Sequence, residues 1–237
     1  MINSGEIKFF ESIKDNCKVI FDIGCREDIY YVENSEGKEL HLFEPNFFSF
    51  NNCKDIINNF IEKNGSNLNT IYLYNFGIGN ISKSFSYYLD TQSIFKRHDY
   101  PEFGFKPCTV IIKRFSEFLK EKNIEFIDFL KIDTEGCEPD ILLDDIKFIK
   151  TKVKYVQFEW ASTWFARDNK MDFVDIFNEY TNNFEFYFLY DEDHPLSNKY
   201  KEMLSPIDTQ ECLEEIKQKV IEDYGLNIVM IKRGINK

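Results

Sequence analysis

What this chain has least of is positive charge. Only 29 Lys and Arg stand against 41 Asp and Glu, a formal net charge of −12 over 237 residues. Such a chain repels a phosphate backbone or an anionic membrane surface on average, and its basic clusters, Lys96-Arg97-His98 and Lys232-Arg233, are short. Nucleic acid is therefore an unfavoured partner. Glycine and proline number 10 and 6, and neither is concentrated enough to mark a linker, so one domain over residues 1–237 is expected. No run approaches the ~20 apolar residues of a membrane helix. Met1 to Glu11 lacks the basic start, apolar core and small-residue cleavage site of a secretory signal, which makes the cytoplasm the expected compartment. The six cysteines, at 17, 25, 53, 108, 137 and 212, show no CxxC spacing and lie in or beside apolar segments. Buried, reduced thiols are expected.

What is present suits a large core: 43% of residues are hydrophobic and 17% aromatic. Apolar runs alternate with helical spacings, the rhythm of an α/β fold. Lys18 to Ile23, Glu39 to Phe43, Thr70 to Phe76, Phe126 to Ile132 and Lys154 to Phe158 read as strands. Glu6 to Lys14, Phe47 to Lys63, Phe115 to Lys122, a helix opened by Pro139, and Met171 to Tyr180 read as helices. Arg26 to Glu33 reads as a turn or helix start. Phe184 to Leu189 and Asn227 to Ile231 flank a helical stretch, Glu211 to Tyr224, and are expected to pair antiparallel at a sheet edge.

Four strands end in acids, one of them Lys154 to Phe158, which ends at Glu159. Val19-Ile20-Phe21-Asp22-Ile23-Gly24 closes the first, Leu40-His41-Leu42-Phe43-Glu44-Pro45 the second, and Phe129-Leu130-Lys131-Ile132-Asp133-Thr134-Glu135-Gly136-Cys137-Glu138 another. Ligands of open α/β sheets bind at the carboxyl ends of strands. Gly24 lets backbone approach a ligand, and Glu44, about twenty residues on, is placed to accept hydrogen bonds from ribose hydroxyls. After Gly24 no glycine recurs until Gly37, so the G-x-G-x-x-G loop is absent, as is G-x-x-x-x-G-K-[ST]. NAD, FAD and ATP lose ground, and S-adenosylmethionine gains it.

Asp133 is the candidate base or acceptor-positioning group. Its ordinary pKa of about 3.9 makes it weak toward a sugar hydroxyl unless burial or a neighbouring acid raises it. Glu135 and Glu159 are candidates for that role, or for joining Asp133 around a divalent metal; Glu135 and Glu138 also suit the amino end of the next helix. His41 reads as a core residue. His98, His194 and the aromatics Phe95, Tyr100, Phe103 and Phe105 sit in loops able to cover an acceptor, while Trp160 and Trp164 are expected to line a pocket.

The order VIFDIGC, LHLFEP, YNFGIGN, RFSEFL, IDFLKIDTEGCE, YVQFEW, from Lys18 to Trp160, resembles the FkbM family of S-adenosylmethionine-dependent methyltransferases, most specifically in IDFLKIDTEGCE. The resemblance implies a class I methyltransferase (Rossmann-like) three-layer sandwich, its seven-stranded, mostly parallel sheet ending in an antiparallel strand. It implies O-methylation of a hydroxyl on a small molecule or glycan. It also implies that Asp22, Gly24, Cys25 and Glu44 face the cofactor, with Gly77 and Ile78 bordering the adenine. A nucleic-acid 2′-O-methyltransferase and a non-catalytic nucleoside-binding module remain alternatives. Where the family loop carries a second glycine and small residues, this chain has Arg26, Glu27 and Asp28. Their backbone N–H groups are expected to face the methionine carboxylate, with at least one of the three side chains turned toward that end of the cofactor.

Overall fold

The structure is a computed structural model that describes residues 4–65, 69–88, 93–94, 108–166, 172–190, 195–200, 202–221 and 225–235. Its first elements are α1 (Ser4–Ile13), β1 (Val19–Ile23), the single turn α2 (Tyr30–Glu33), β2 (Glu39–Phe43), α3 (Phe47–Asn64) and β3 (Thr70–Tyr74). Next come β4 (Gly77–Gly79), β5 (Lys83–Tyr87), β6 (Cys108–Arg114), α4 (Phe115–Glu121), β7 (Ile127–Ile132), α5 (Glu138–Asp144), α6 (Ile146–Lys152) and β8 (Val153–Trp160). The last are α7 (Phe173–Tyr180), β9 (Phe184–Leu189), β10 (Leu204–Pro206), α8 (Gln210–Ile221) and β11 (Leu226–Lys232).

The main sheet runs β10-β9-β11-β8-β7-β1-β2-β3. From β8 through β3 the pairings are parallel, and β11 lies antiparallel to both β8 and β9. Without the short β10 this is the expected class I arrangement of seven strands with an antiparallel last strand. The two runs expected to pair antiparallel toward a sheet edge do so, with β11 between β8 and β9, where Ile228, Val229 and Met230 are fully buried, as a strand covered on both faces requires. Two details differ from the expectation. The edge belongs instead to β10, where Pro206, which has no N–H to donate, does no harm. A separate three-stranded sheet, β4-β6-β5, also forms between β3 and α4.

Helices cover both faces because the buried strands carry apolar side chains on both. One core gathers Phe21, Ile23, Leu130 and Phe158 with Phe118 of α4, Ile141 of α5, Ile149 of α6, Ile176 of α7 and Ile216 of α8. The other gathers Ile20, Phe129 and Tyr155 with Phe9 and Phe10 of α1, Tyr31 of α2 and Ile57 of α3. All six cysteines are free thiols, five of them buried as expected and Cys108 partly exposed, and His41 is buried as expected. Among the described residues no helix is long and apolar enough to cross a membrane.

Local chemistry sets the strand ends. The Asn46 side chain caps α3 by accepting N–H groups from Phe48 (2.8 Å) and Ser49 (3.3 Å). Pro139 sits in the first turn of α5 as its fixed φ favours, but the helical run behind it breaks at Asp145, which caps α6 by accepting the Phe148 N–H at 3.0 Å. Gly24 has φ +92°, and a Cβ there would lie 1.7 Å from the Asp133 carbonyl oxygen. Glycine is thus demanded by the closeness of the β1 and β7 ends as well as by its backbone angle. Gly24→Ala is expected to lower unfolding free energy by more than about 2 kcal/mol in a urea titration, since no side-chain movement relieves a backbone clash.

Candidate active site

The carboxyl ends of β1, β2 and β7 open onto a cleft of about 820 Å³ lined by Asp22, Gly24, Cys25, Tyr31, Lys131 and Asp133, among others. A pocket of about 40 Å³ adjoins it, walled by Glu44, Pro45, Gly77, Ile78, Ile112 and Ile94. Gly24, Arg26, Tyr87 and Asp133 border both. Every residue expected at a cofactor site from the sequence thus lines one of these two spaces. Cys25 does so as a buried thiol hydrogen-bonded to Cys53, with its pKa held well above the ordinary value by that bond and by burial.

A polar row runs through the otherwise apolar face beneath α1. Strand register places Asp22 beside Lys131, and Lys131 beside Gln157. All three are buried, and Gln157 donates to Glu6 of α1. Lys131 Nζ lies 3.1 Å from Asp133 Oδ2 and 3.6 Å from Asp22 Oδ1. Burial disfavours the ammonium, but Asp133, Asp22 and Glu6 outweigh it and hold its pKa well above the ordinary value. Burial pushes Asp22 up to about 6, with Lys131 pulling down and Asp133 pushing up.

Glu44 ends β2 as a buried carboxylate. Its oxygens accept N–H groups from Asn46 (2.6 Å) and Arg26 (3.0 Å), tying the loop after β1 to the start of α3. Burial pushes it up to about 7 against those two hydrogen bonds. Of the three N–H groups expected to face the methionine carboxylate, those of Arg26 and Asp28 are engaged within the protein instead. Gly24 and Cys25 donate to the Phe43 carbonyl, Asp28 to the Cys25 carbonyl, and Tyr30 to Asp28 Oδ1. With the Arg26 N–H on Glu44, these groups face inward. The Glu27 side chain accepts from Asn52, while Arg26 lines both spaces.

Beyond β7, one oxygen each from Asp133, Glu135 and Glu159 lie within 4.8 Å of one another, so the structure brings the three candidate acids together. Burial, then Asp133, Glu135 and Glu138, hold Glu159 well above the usual carboxylate range. Glu135 is held in the left-handed region at φ +55°, as is Arg26 at +52°. Glu138 organises this loop from below: it accepts from the Thr134 N–H (2.6 Å) and hydroxyl (2.8 Å), the Gly136 N–H (3.0 Å) and the Trp164 indole (3.0 Å). Burial pushes it up to about 7.

Trp160 and Trp164 do not line a pocket. Both are fully buried, the second as a donor to Glu138. His98, His194, Phe95, Tyr100, Phe103 and Phe105 lie outside the described residues. No local spacing marks Tyr31 or Glu6 as cleft residues, because the partners that place them come from distant strands.

A Rossmann-like sheet with acids at the carboxyl ends of its strands places them where open α/β sheets bind their ligands. The model of the methyltransferase FkbM domain matches residues 22–190, and the chain belongs to this family. A search of curated proteins finds no match. Among solved structures, a methyltransferase FkbM from Methylobacillus flagellatus KT is 12% identical with a TM-score of 0.49; the match covers 81% of this chain and 42% of that one. SMU.1697c from Streptococcus mutans, in complex with SAH, is 9% identical, TM-score 0.48, covering 98% and 99%. StiE O-MT, residues 961–1257, is 11% identical, TM-score 0.46, covering 98% and 75%.

The raised carboxyls give a signed prediction. Asp22, Glu44 and Glu138 keep protons in the folded state that the unfolded chain has already released between about pH 4 and 7. Their contribution to stability is present at the acid end of that window and lost as pH rises through it. Thermal melts are expected to show a lower midpoint at about pH 8 than at about pH 6, and Glu138→Gln should flatten that slope.

Proposed function

We propose that the protein, as one domain over residues 1–237, transfers a methyl group from S-adenosylmethionine to a hydroxyl oxygen of a small molecule or glycan. The observation that carries this reading is the convergence of Asp22, Glu44 and Asp133, from three strand ends, on one connected cleft. The residues fit the cofactor. Glu44 suits the ribose hydroxyls, Pro45, Ile78 and Ile112 offer apolar walls to an adenine, and the buried Asp22 Oδ1 accepts no hydrogen bond among the described residues. The adenine-side pocket, about 40 Å³, is smaller than a nucleoside.

S-adenosylmethionine supplies a sulfonium-activated methyl, which leaves the protein mainly alignment and proton removal. Asp133, with Lys131 on one oxygen and Glu135 and Glu159 close by, orients the acceptor hydroxyl and takes its proton as the new C–O bond forms. The acidic trio favours one second reading: a divalent cation held by Asp133, Glu135 and Glu159 lowers the acceptor's pKa directly. The net charge of −12 opposes a nucleic-acid acceptor, and tight, salt-sensitive RNA binding would favour that alternative.

Calorimetry with S-adenosylmethionine and S-adenosylhomocysteine tests the reading first; absence of binding would point to a non-catalytic module. Glu44→Ala is expected to weaken binding about ten- to a hundredfold, and parental affinity in a folded variant would remove the ribose assignment. Asp133→Asn should retain cofactor binding and lose methyl transfer about 10²–10⁴-fold on an identified acceptor. Loss of transfer on chelation, restored by Mg²⁺ or Mn²⁺, selects the cation.

A further inference from the structure

An amino-acid head group carries a carboxylate and an ammonium, so its receptor needs donors and an acceptor set close together. The loop after β1 does not provide the donors through the backbone N–H groups of Gly24, Cys25, Arg26, Asp28 and Tyr30, all of which are engaged within the protein. Donors are found deeper in the same cleft. The Tyr31 hydroxyl, on a side chain only 3% exposed, has no hydrogen-bond partner among the described residues. Tyr31 lines the same cleft as Lys131, Asp22, Glu6 and Asp28. Lys131 Nζ reaches Asp133 at 3.1 Å but Asp22 only at 3.6 Å, which leaves it donor capacity. Asp22 Oδ1 is the matching orphan acceptor. Buried polar atoms without hydrogen-bond partners are costly, and two of complementary type, the Tyr31 hydroxyl and Asp22 Oδ1, border one cleft beside an ammonium with donor capacity to spare, which a ligand would complete.

We propose that Tyr31 and Lys131 bind the carboxylate of the cofactor's amino-acid end while Asp22 takes its ammonium. This receptor rests on the S-adenosylmethionine reading and deepens it: the side chains of α2, β1 and β7 select a cofactor that carries an α-amino-acid group. Four carboxylates around one lysine, Glu6, Asp22, Asp28 and Asp133, also leave a net negative field suited to the ammonium and sulfonium together.

The test compares two ligands by calorimetry: S-adenosylhomocysteine, and 5′-methylthioadenosine, which keeps the adenosine and thioether but lacks the amino-acid group. The parental protein is expected to bind the first more tightly. Tyr31→Phe should weaken S-adenosylhomocysteine about tenfold, leave 5′-methylthioadenosine unchanged, and melt no lower than the parent, because it deletes a hydroxyl that is unpartnered without ligand. Lys131→Met should show the same selectivity, at about a hundredfold. Arg26→Ala, which removes the exposed guanidinium at the cleft, should not discriminate between the ligands. If Tyr31→Phe weakens both ligands equally or neither, or if Arg26→Ala alone shows the selective loss, the receptor assignment is overturned. If the parental protein binds neither ligand, the S-adenosylmethionine reading itself has failed.

Discussion

The burial of Lys131 is the constraint around which the site is arranged. An ammonium removed from water needs compensating charge, and it finds Asp22 on the neighbouring strand and Asp133 two residues along its own. Such a cluster adds little net stability, since desolvation of the three groups offsets most of their attraction. It does fix geometry. Asp133 is held at the cleft with one oxygen occupied, and Asp22 is kept buried behind it. The same cluster ties α1 to the sheet, because Gln157, beside Lys131, donates to Glu6.

Around this centre the loops are shaped by buried carboxylates that accept backbone N–H groups. Glu44 binds the loop after β1 to the start of α3, and Glu138 binds the loop after β7 to α5 and to the indole of Trp164. Each stabilises a loop that contains a non-glycine residue in the left-handed region, Arg26 in one case and Glu135 in the other. Backbone held there costs about 1–3 kcal/mol and persists only when its surroundings demand it. Both such residues border the site, and the third of the described chain, Asn123, occupies an ordinary turn after α4. The acidity of the protein also has a local expression, for Asp133, Glu135 and Glu159 crowd together beyond the end of β7.

The sequence by itself determined the architecture and its active end. Buried strands such as Val19–Ile23 and Ile127–Ile132 had to be interior and parallel because they carry no wet face, and acids at their carboxyl ends had to fall where the loops converge. The motifs also indicated the family. The insertion of β11 between β8 and β9 was foreshadowed by its continuous apolar run but not decided by it, since local pattern says that a strand is covered without saying by what. Only the tertiary structure decided what long-range contact controls: that Gly24 answers to the Asp133 carbonyl, that Trp160 and Trp164 are core rather than pocket, and that the Arg26 N–H turns inward onto Glu44. It also decided that Tyr31 and Lys131 share a cleft with Asp22, because register and helix packing bring together groups more than 100 residues apart, and no local spacing encodes that distance.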